Sequence, residues 1–128
     1  MAGGDARVDT GAATLACLVD GDAGAPLVIC AHGFPDCARS FRHQAPALVA
    51  AGFHVVSPYL RGYAPSTAAR DRRYDAAALG NDLVALARHC SPGAPVRRYG
   101  HDWCAVSAYA PVAVARCSFW RLATVAVP

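Results

Sequence analysis

The sequence predicts an α/β protein built on a mainly parallel sheet, and three observations carry that prediction. Two short apolar runs, Leu27 to Ala31 and Phe53 to Ser57, have the length and continuity of strands buried on both faces. They alternate with two longer segments, 38–51 and 74–89, in which apolar residues recur at helical spacing. The 128 residues are 55% hydrophobic and only 16% charged, which excludes a disordered chain and suits a globular domain with much buried strand.

Each element has its own signal. Thr14 to Val19 reads as an early strand, turned by Asp20-Gly21-Asp22. Leu27 to Ala31 is followed by the loop His32-Gly33-Phe34-Pro35-Asp36. From Ala38 to Ala51 a helix is expected, with Phe41, Leu48 and Val49 inward and Gly52 just past its end. Phe53 to Ser57 is the next strand, and Arg61-Gly62-Tyr63 opens a loop expected to be solvated together with the cluster Arg70, Arg72, Arg73. Leu79, Leu83 and Leu86 mark the apolar face of a helix over Tyr74 to His89, ended by Ser91-Pro92-Gly93. Val96 to Tyr99 is a strand, an Ala/Val-rich helix is expected to reach about Arg116, and Leu122 to Val127 is the last strand. Residues 1–13 are a tail or a first edge strand, and 14–128 form one core unit without repeat or linker. An order of strand, helix, strand, helix, strand, helix, strand is half of a doubly wound sheet. A Val- and Ala-rich final strand at an open edge is a liability that complete sheets cover, which is the first reason to expect a truncated unit.

Composition narrows the function. Every one of the twelve cationic residues is Arg and every one of the nine acidic residues is Asp, a bias attributable to coding composition. The net charge of +3 is small and the Arg residues are scattered, so nucleic acid is not an expected partner. Cysteines at 17, 30, 37, 90, 104 and 117 form no C-x-x-C pair and no Cys/His cluster with metal spacing, so no metal is expected. Residues 1–14 contain no apolar signal-type segment and no stretch approaches the length of a membrane span. A soluble, cytoplasmic chain is the expectation.

The run Gly100-His101-Asp102-Trp103-Cys104-Ala105 carries the chemistry. A strand ending in small-x-nucleophile-x-small, followed by a helix, is the pattern of a nucleophile elbow. The small residues allow close backbone approach, and the helix N-terminus favours developing negative charge. With Asp102 at the nucleophile position, a carboxylate would attack an sp³ carbon and leave an alkyl ester on the protein. A His, oriented by an acid, would then activate water against that ester. The plainer alternative is that Asp102 caps the helix beginning at Trp103.

Four motifs in register resemble one family, the epoxide hydrolase and haloalkane or haloacetate dehalogenase branch of the α/β-hydrolases. Its elbow reads G-H-D-W-G followed by G or A, and its H-G-x-P loop is similar to His32-Gly33-Phe34-Pro35-Asp36. Ser40-Phe41-Arg42-His43-Gln44 with Pro46-Ala47-Leu48 resembles S-W-R-x-Q-x-P-A-L. Arg61-Gly62-Tyr63-Ala64-Pro65-Ser66 resembles R-G-Y-G-x-S. The match runs from about residue 14 to 128. The resemblance implies the α/β-hydrolase fold, a catalytic Asp102, and an oxyanion hole made by the backbone N–H groups of Phe34 and Trp103. It implies that Pro35 is a cis-proline fixing the loop, and that the Trp103 indole lines the substrate pocket. His32, Gly33, Pro35 and His101 are implied to shape the site or contact substrate; for both histidines the shaping role is favoured over that of a base. His43, His54 and His89 read as surface or core residues, and Arg61 as a partner for an acid near the site. The implied substrate is a small molecule, an epoxide or an organohalide, and no cofactor is required.

The sequence also departs from the family. Residues 103–128 contain no Asp, Glu or His, whereas the family places its acid, its base His and its lid after the nucleophile. Cys104 stands for a glycine, Pro111 falls inside the helix after the elbow, and Arg97 and Arg98 occupy a strand expected to be apolar. The expectation is therefore the N-terminal half of an epoxide hydrolase, inactive alone for want of base, acid and lid. A dehalogenase and a non-catalytic fragment binding through its open sheet edge are the two alternatives.

Overall fold

The computed structural model describes residues 4–34, 36–101 and 119–125, the last seven and His101 by their backbone alone. Six strands form one sheet: β1 (Gly4–Asp9), β2 (Thr14–Asp20), β3 (Leu27–Ala31), β4 (His54–Pro58), β5 (Val96–His101) and β6 (Phe119–Val125). Their order is β1-β2-β4-β3-β5-β6. β1 and β2 pair antiparallel, β2 meets β4 antiparallel, and β4, β3, β5 and β6 run parallel to one another. The expected parallel sheet is thus present, with an antiparallel pair added at one edge.

β3 and β4 are buried along their whole length, as their unbroken apolar sequences require. β5 lies against β3 and alternates instead: Val96, Arg98 and Gly100 are buried, while Arg97 and Tyr99 are half-buried. On one face of the sheet Leu15, Leu27, Ile29 and Val56 pack with Leu79, Leu83 and Leu86 of α2 (Ala76–Cys90). On the other, Val28, Cys30 and Val55 pack with Phe41 and Ala45, and Tyr99 meets Phe41 edge-on. The Arg97 guanidinium lies 5.0 Å from the Phe53 ring centroid, a cation–π contact that lets a charged residue occupy this strand.

The single helix expected over Ala38 to Ala51 is divided. A 3₁₀ turn spans Ala38–Phe41 and α1 spans Gln44–Ala50. Pro46 accounts for the division, since it lacks an N–H to donate back to residue 42 and is tolerated only in a helix's first turn. Gly52 follows α1 with φ +92, the left-handed geometry that closes a helix and turns the chain into β4. α2 begins at a cap, the Asp75 carboxylate accepting the Ala78 N–H at 3.0 Å. The helix expected between 103 and 116 lies outside the described residues, and β6 begins three residues before the strand expected from Leu122.

Cys30 is a buried small hydrophobe whose thiol is pushed up to about 12 by burial. Cys17, Cys30, Cys37 and Cys90 form no disulfide. Among the described residues no helix is long and apolar enough to cross a membrane.

Candidate active site

β3 and β5 are neighbours and parallel, with Ala31 opposite Gly100. The loop beginning at His32 and the residue following His101 therefore leave the sheet from the same end of two adjacent strands. In open parallel sheets that end is where ligands bind. Of the residues singled out in sequence, His32, Gly33 and Phe34 fall within the described part, and His101 closes β5 by its backbone. Asp102, Trp103 and Pro35 lie outside it, including the cis bond expected at Pro35; the cis peptide among the described residues precedes Pro65.

His32 is fully buried. Its Nε2 accepts the N–H of Leu60 at 3.0 Å, so the ring proton sits on Nδ1, which donates to the carbonyl of Gly33 at 2.8 Å. The Tyr63 ring meets it edge-on, centroids 4.9 Å apart. Burial lowers the His32 pKa, opposed less strongly by the Gly33 carbonyl and the Asp36 charge. Both ring nitrogens are committed to backbone groups.

Phe34 projects outward, 69% exposed, beside a cleft of about 410 Å³ walled by Leu60, Tyr63, Tyr74 and Leu79. Behind it the loop is pinned. Asp36 accepts the Cys37 N–H at 2.9 Å and the Ser40 hydroxyl, fixing the entry to the 3₁₀ turn.

Arg61 also borders the cleft, yet its charge is directed away from it. Its Nε and Nη2 donate to the two oxygens of Asp82 at 2.6 and 2.7 Å, and its Nη1 to Asp71 and the Arg73 carbonyl at 3.0 and 2.8 Å. The expected acidic partner of Arg61 is thus on α2. Asp82 was readable as the one acid on the helix face that carries Leu79, Leu83 and Leu86. Thr10 donates to Asp82 at 2.6 Å, tying in the β1–β2 turn.

The segment after Arg61 is mostly exposed, as expected, with Tyr63, Ser66 and Ala69 drawn inward. Ser66 is buried, accepting the Ala16 N–H at 2.8 Å and donating to the Tyr59 carbonyl at 2.6 Å. Tyr63 is half-buried, and Arg70 reaches Asp9, Gly11 and Thr14. Arg72 and Arg73 are exposed as expected, as are His43 and His89; His54 is buried, its Nδ1 3.2 Å from the Asp20 carbonyl. Sequence reasoning missed Tyr63 and Leu60 as parts of the site. Leu60 acts through its backbone, which leaves no trace in residue type.

A model of the α/β hydrolase fold matches residues 26–111. This chain belongs to the α/β-hydrolase family. Among curated relatives, the chain is 46% identical over 100 residues to epoxide hydrolase A of Mycobacterium tuberculosis, covering 77% of this chain and 31% of that protein. Among solved structures, epoxide hydrolase A from Mycobacterium thermoresistibile superposes with a TM-score of 0.91 at 36% identity, covering 99% of this chain and 40% of that one. An epoxide hydrolase from Vigna radiata gives 0.89 at 28% identity, over 98% and 39%. The chain is therefore epoxide hydrolase-like and spans about a third of the length of this curated relative. Among the described residues no group of three or more His, Cys or acidic side chains is placed to hold a metal ion.

Proposed function

We propose that this chain supplies the nucleophile and oxyanion half of an epoxide hydrolase. On this reading the Asp102 carboxylate attacks an epoxide carbon, the C–O bond of the ring breaks, and an alkyl ester forms on Asp102 as the ring oxygen takes up a proton. Water then adds to the ester carbonyl. The backbone N–H groups of Phe34 and Trp103 bear the resulting oxyanion, and its collapse releases a diol and restores the carboxylate. His32, Gly33, Pro35 and His101 shape the loops around this centre.

The observation that carries the reading is the pairing of Ala31 with Gly100, which brings the loop containing Phe34 and the strand leading to Asp102 to one end of the sheet. The aspartyl elbow in the sequence and the epoxide hydrolase relatives support the choice of reaction. The apolar walls of the cleft, with the Arg61 charge engaged elsewhere, suit an uncharged small molecule.

The second step needs a base His and its acid, and ring opening needs a proton donor. Residues 103–128 hold no Asp, Glu or His, so on this reading those groups come from sequence outside residues 1–128. Residues 1–128 alone are then expected to complete no catalytic cycle.

The test is a single turnover of an epoxide in ¹⁸O-water by the protein that carries this chain. One ¹⁸O is expected in the Asp102 carboxylate and an unlabelled oxygen in the diol. Label in the diol with none in the Asp102 peptide would show direct attack by water and overturn the reading.

A further inference from the structure

The loop that carries Phe34 is held by a clasp that depends on one proton. His32 joins two segments that are distant in sequence: its own β3–α1 loop, through the Gly33 carbonyl, and the turn after β4, through the Leu60 N–H and the edge of Tyr63. The bond to Leu60 needs a lone pair on Nε2, and the bond to Gly33 needs a proton on Nδ1. One tautomer of the neutral ring satisfies both. The imidazolium satisfies only the second, and turns Nε2–H against the Leu60 N–H in a fully buried position.

We propose that His32 is a positioning residue that locks the Gly33–Phe34 turn to the end of β4, and that it does so only as the neutral ring protonated at Nδ1. The Gly33 carbonyl and the Phe34 N–H belong to the same peptide group, so holding the first orients the second. Protonation of His32 releases the Leu60 N–H, so the ring and the peptide it holds lose their tie to the end of β4. The catalytic consequence rests on Phe34 as an oxyanion donor; the clasp and its tautomer do not.

The groups facing the ring are few. Asp36, on the same loop, is the charge that favours protonation, and burial outweighs it. Tyr63 presents a ring edge, and Arg61 is turned to Asp82 and Asp71. From β5, the register sets His101 next to His32 along the adjoining strand, with Asp102 following in sequence.

Ring ¹⁵N spectra of the histidine-labelled protein test this directly. At neutral pH His32 is expected to show an unprotonated Nε2 and a protonated Nδ1. It is expected to remain neutral at a pH where histidine in the urea-unfolded chain has become imidazolium. A proton on Nε2 at neutral pH, or titration of His32 at the pH found for the unfolded chain, overturns the proposal.

Two variants separate the bonds. In His32→Gln the side-chain amide reaches the place of Nε2 and retains the acceptor for Leu60; in His32→Asn it reaches only the place of Nδ1. Hydrogen exchange at the Leu60 amide is expected to accelerate at least tenfold in His32→Asn and to stay near the unmodified rate in His32→Gln. Its protection factor, the rate corrected for the intrinsic pH dependence of amide exchange, is expected to fall as pH is lowered in the unmodified protein and not in His32→Gln. Equal exchange in both variants, or a Leu60 protection factor that does not change with pH in the unmodified protein, overturns the clasp.

If epoxide is turned over, His32→Asn is expected to lower kcat with KM little changed, and the Asp102 ester to accumulate in rapid-quench mass spectra. If spectra and exchange behave as expected and no ester forms on any epoxide, the clasp stands and the proposed reaction fails.

Discussion

Arg61 and Asp82 meet through two parallel hydrogen bonds of 2.6 and 2.7 Å, with the residues only 2% and 3% exposed. A two-point pair of this kind fixes direction as well as distance. It joins the chain leaving β4 to the middle of α2, and so sets one wall of the cleft beside Phe34.

Removing Asp82 strips the buried guanidinium of its buried counter-charge and two hydrogen bonds and leaves it only the more exposed Asp71, a loss on the order of 3 kcal/mol. Asp82→Ala is therefore expected to lower the urea midpoint strongly. Asp71→Ala, at the exposed end of the same guanidinium, should lower it only slightly. Replacing Arg61 and Asp82 together by Met and Leu should recover much of the loss. Equal effects of the two Asp substitutions would show that the energy does not reside in the buried pair.

Stability is expected to fall in two pH windows. Burial holds the His32 pKa below its usual 6.5, so the unfolded chain binds that proton first. The contribution is complete above about 6.5 and shrinks as pH drops below it. The carboxyls of Asp9, Asp71 and Asp75 are held below the usual 3.8, the first two chiefly by backbone N–H groups and Asp75 chiefly by Arg73. Their contribution is present above 3.8 and is lost as pH falls through their folded values. Tm measured from pH 8 to 3 should show both declines, and His32→Gln should abolish the first alone.

Gly21 and Gly52 both have positive φ, 86 and 92, but differ in surroundings. A Cβ at Gly52 meets nothing within 4 Å, so Gly52→Ala carries only the left-handed strain of about 1–2 kcal/mol. At Gly21 the Cβ would lie 2.5 Å from the Phe53 carbonyl oxygen, a backbone atom that cannot swing aside. Gly21→Ala should cost distinctly more in a denaturant titration. Equal losses would mean that the β2–β3 turn yields without resistance.

Asp75→Ala removes the cap of α2 and the partner of Arg73 together. The expected result is a modest fall in Tm, smaller than that of Asp82→Ala, with faster hydrogen exchange confined to the first turn of α2. Asp75→Asn, which keeps the cap acceptor, should recover most of the exchange protection.

Strands β3, β4 and β5 were legible because a strand buried on both faces must be apolar throughout or carry charges that find partners. Phe53 supplies such a contact for Arg97. α2 was legible from Leu79, Leu83 and Leu86, since burial against one sheet face selects a single helical stripe. The 3₁₀ break before α1 was obscured by apolar spacing that continues across it, although Pro46 was the physical cause in plain view. At the site, residue type revealed His32 and Phe34 as parts of a motif. It did not reveal that Leu60 contributes an N–H, or that Tyr63 braces His32, because those contacts arise only when β4 lies beside β3.

The strand order has a consequence for synthesis. β3 is flanked by β4 and β5, yet β5 is translated only after the whole of β4, the Arg61 segment and α2 have emerged. At ribosomal rates this leaves the apolar edge of Val28, Ile29 and Cys30 unpaired for a time on the order of seconds in the nascent chain. An unpaired apolar edge invites foreign strands, and pairing between distant segments is slow to form. The interval between the emergence of Ala31 and that of Gly100 is therefore when the β3 edge is most open to pairing with the wrong strand.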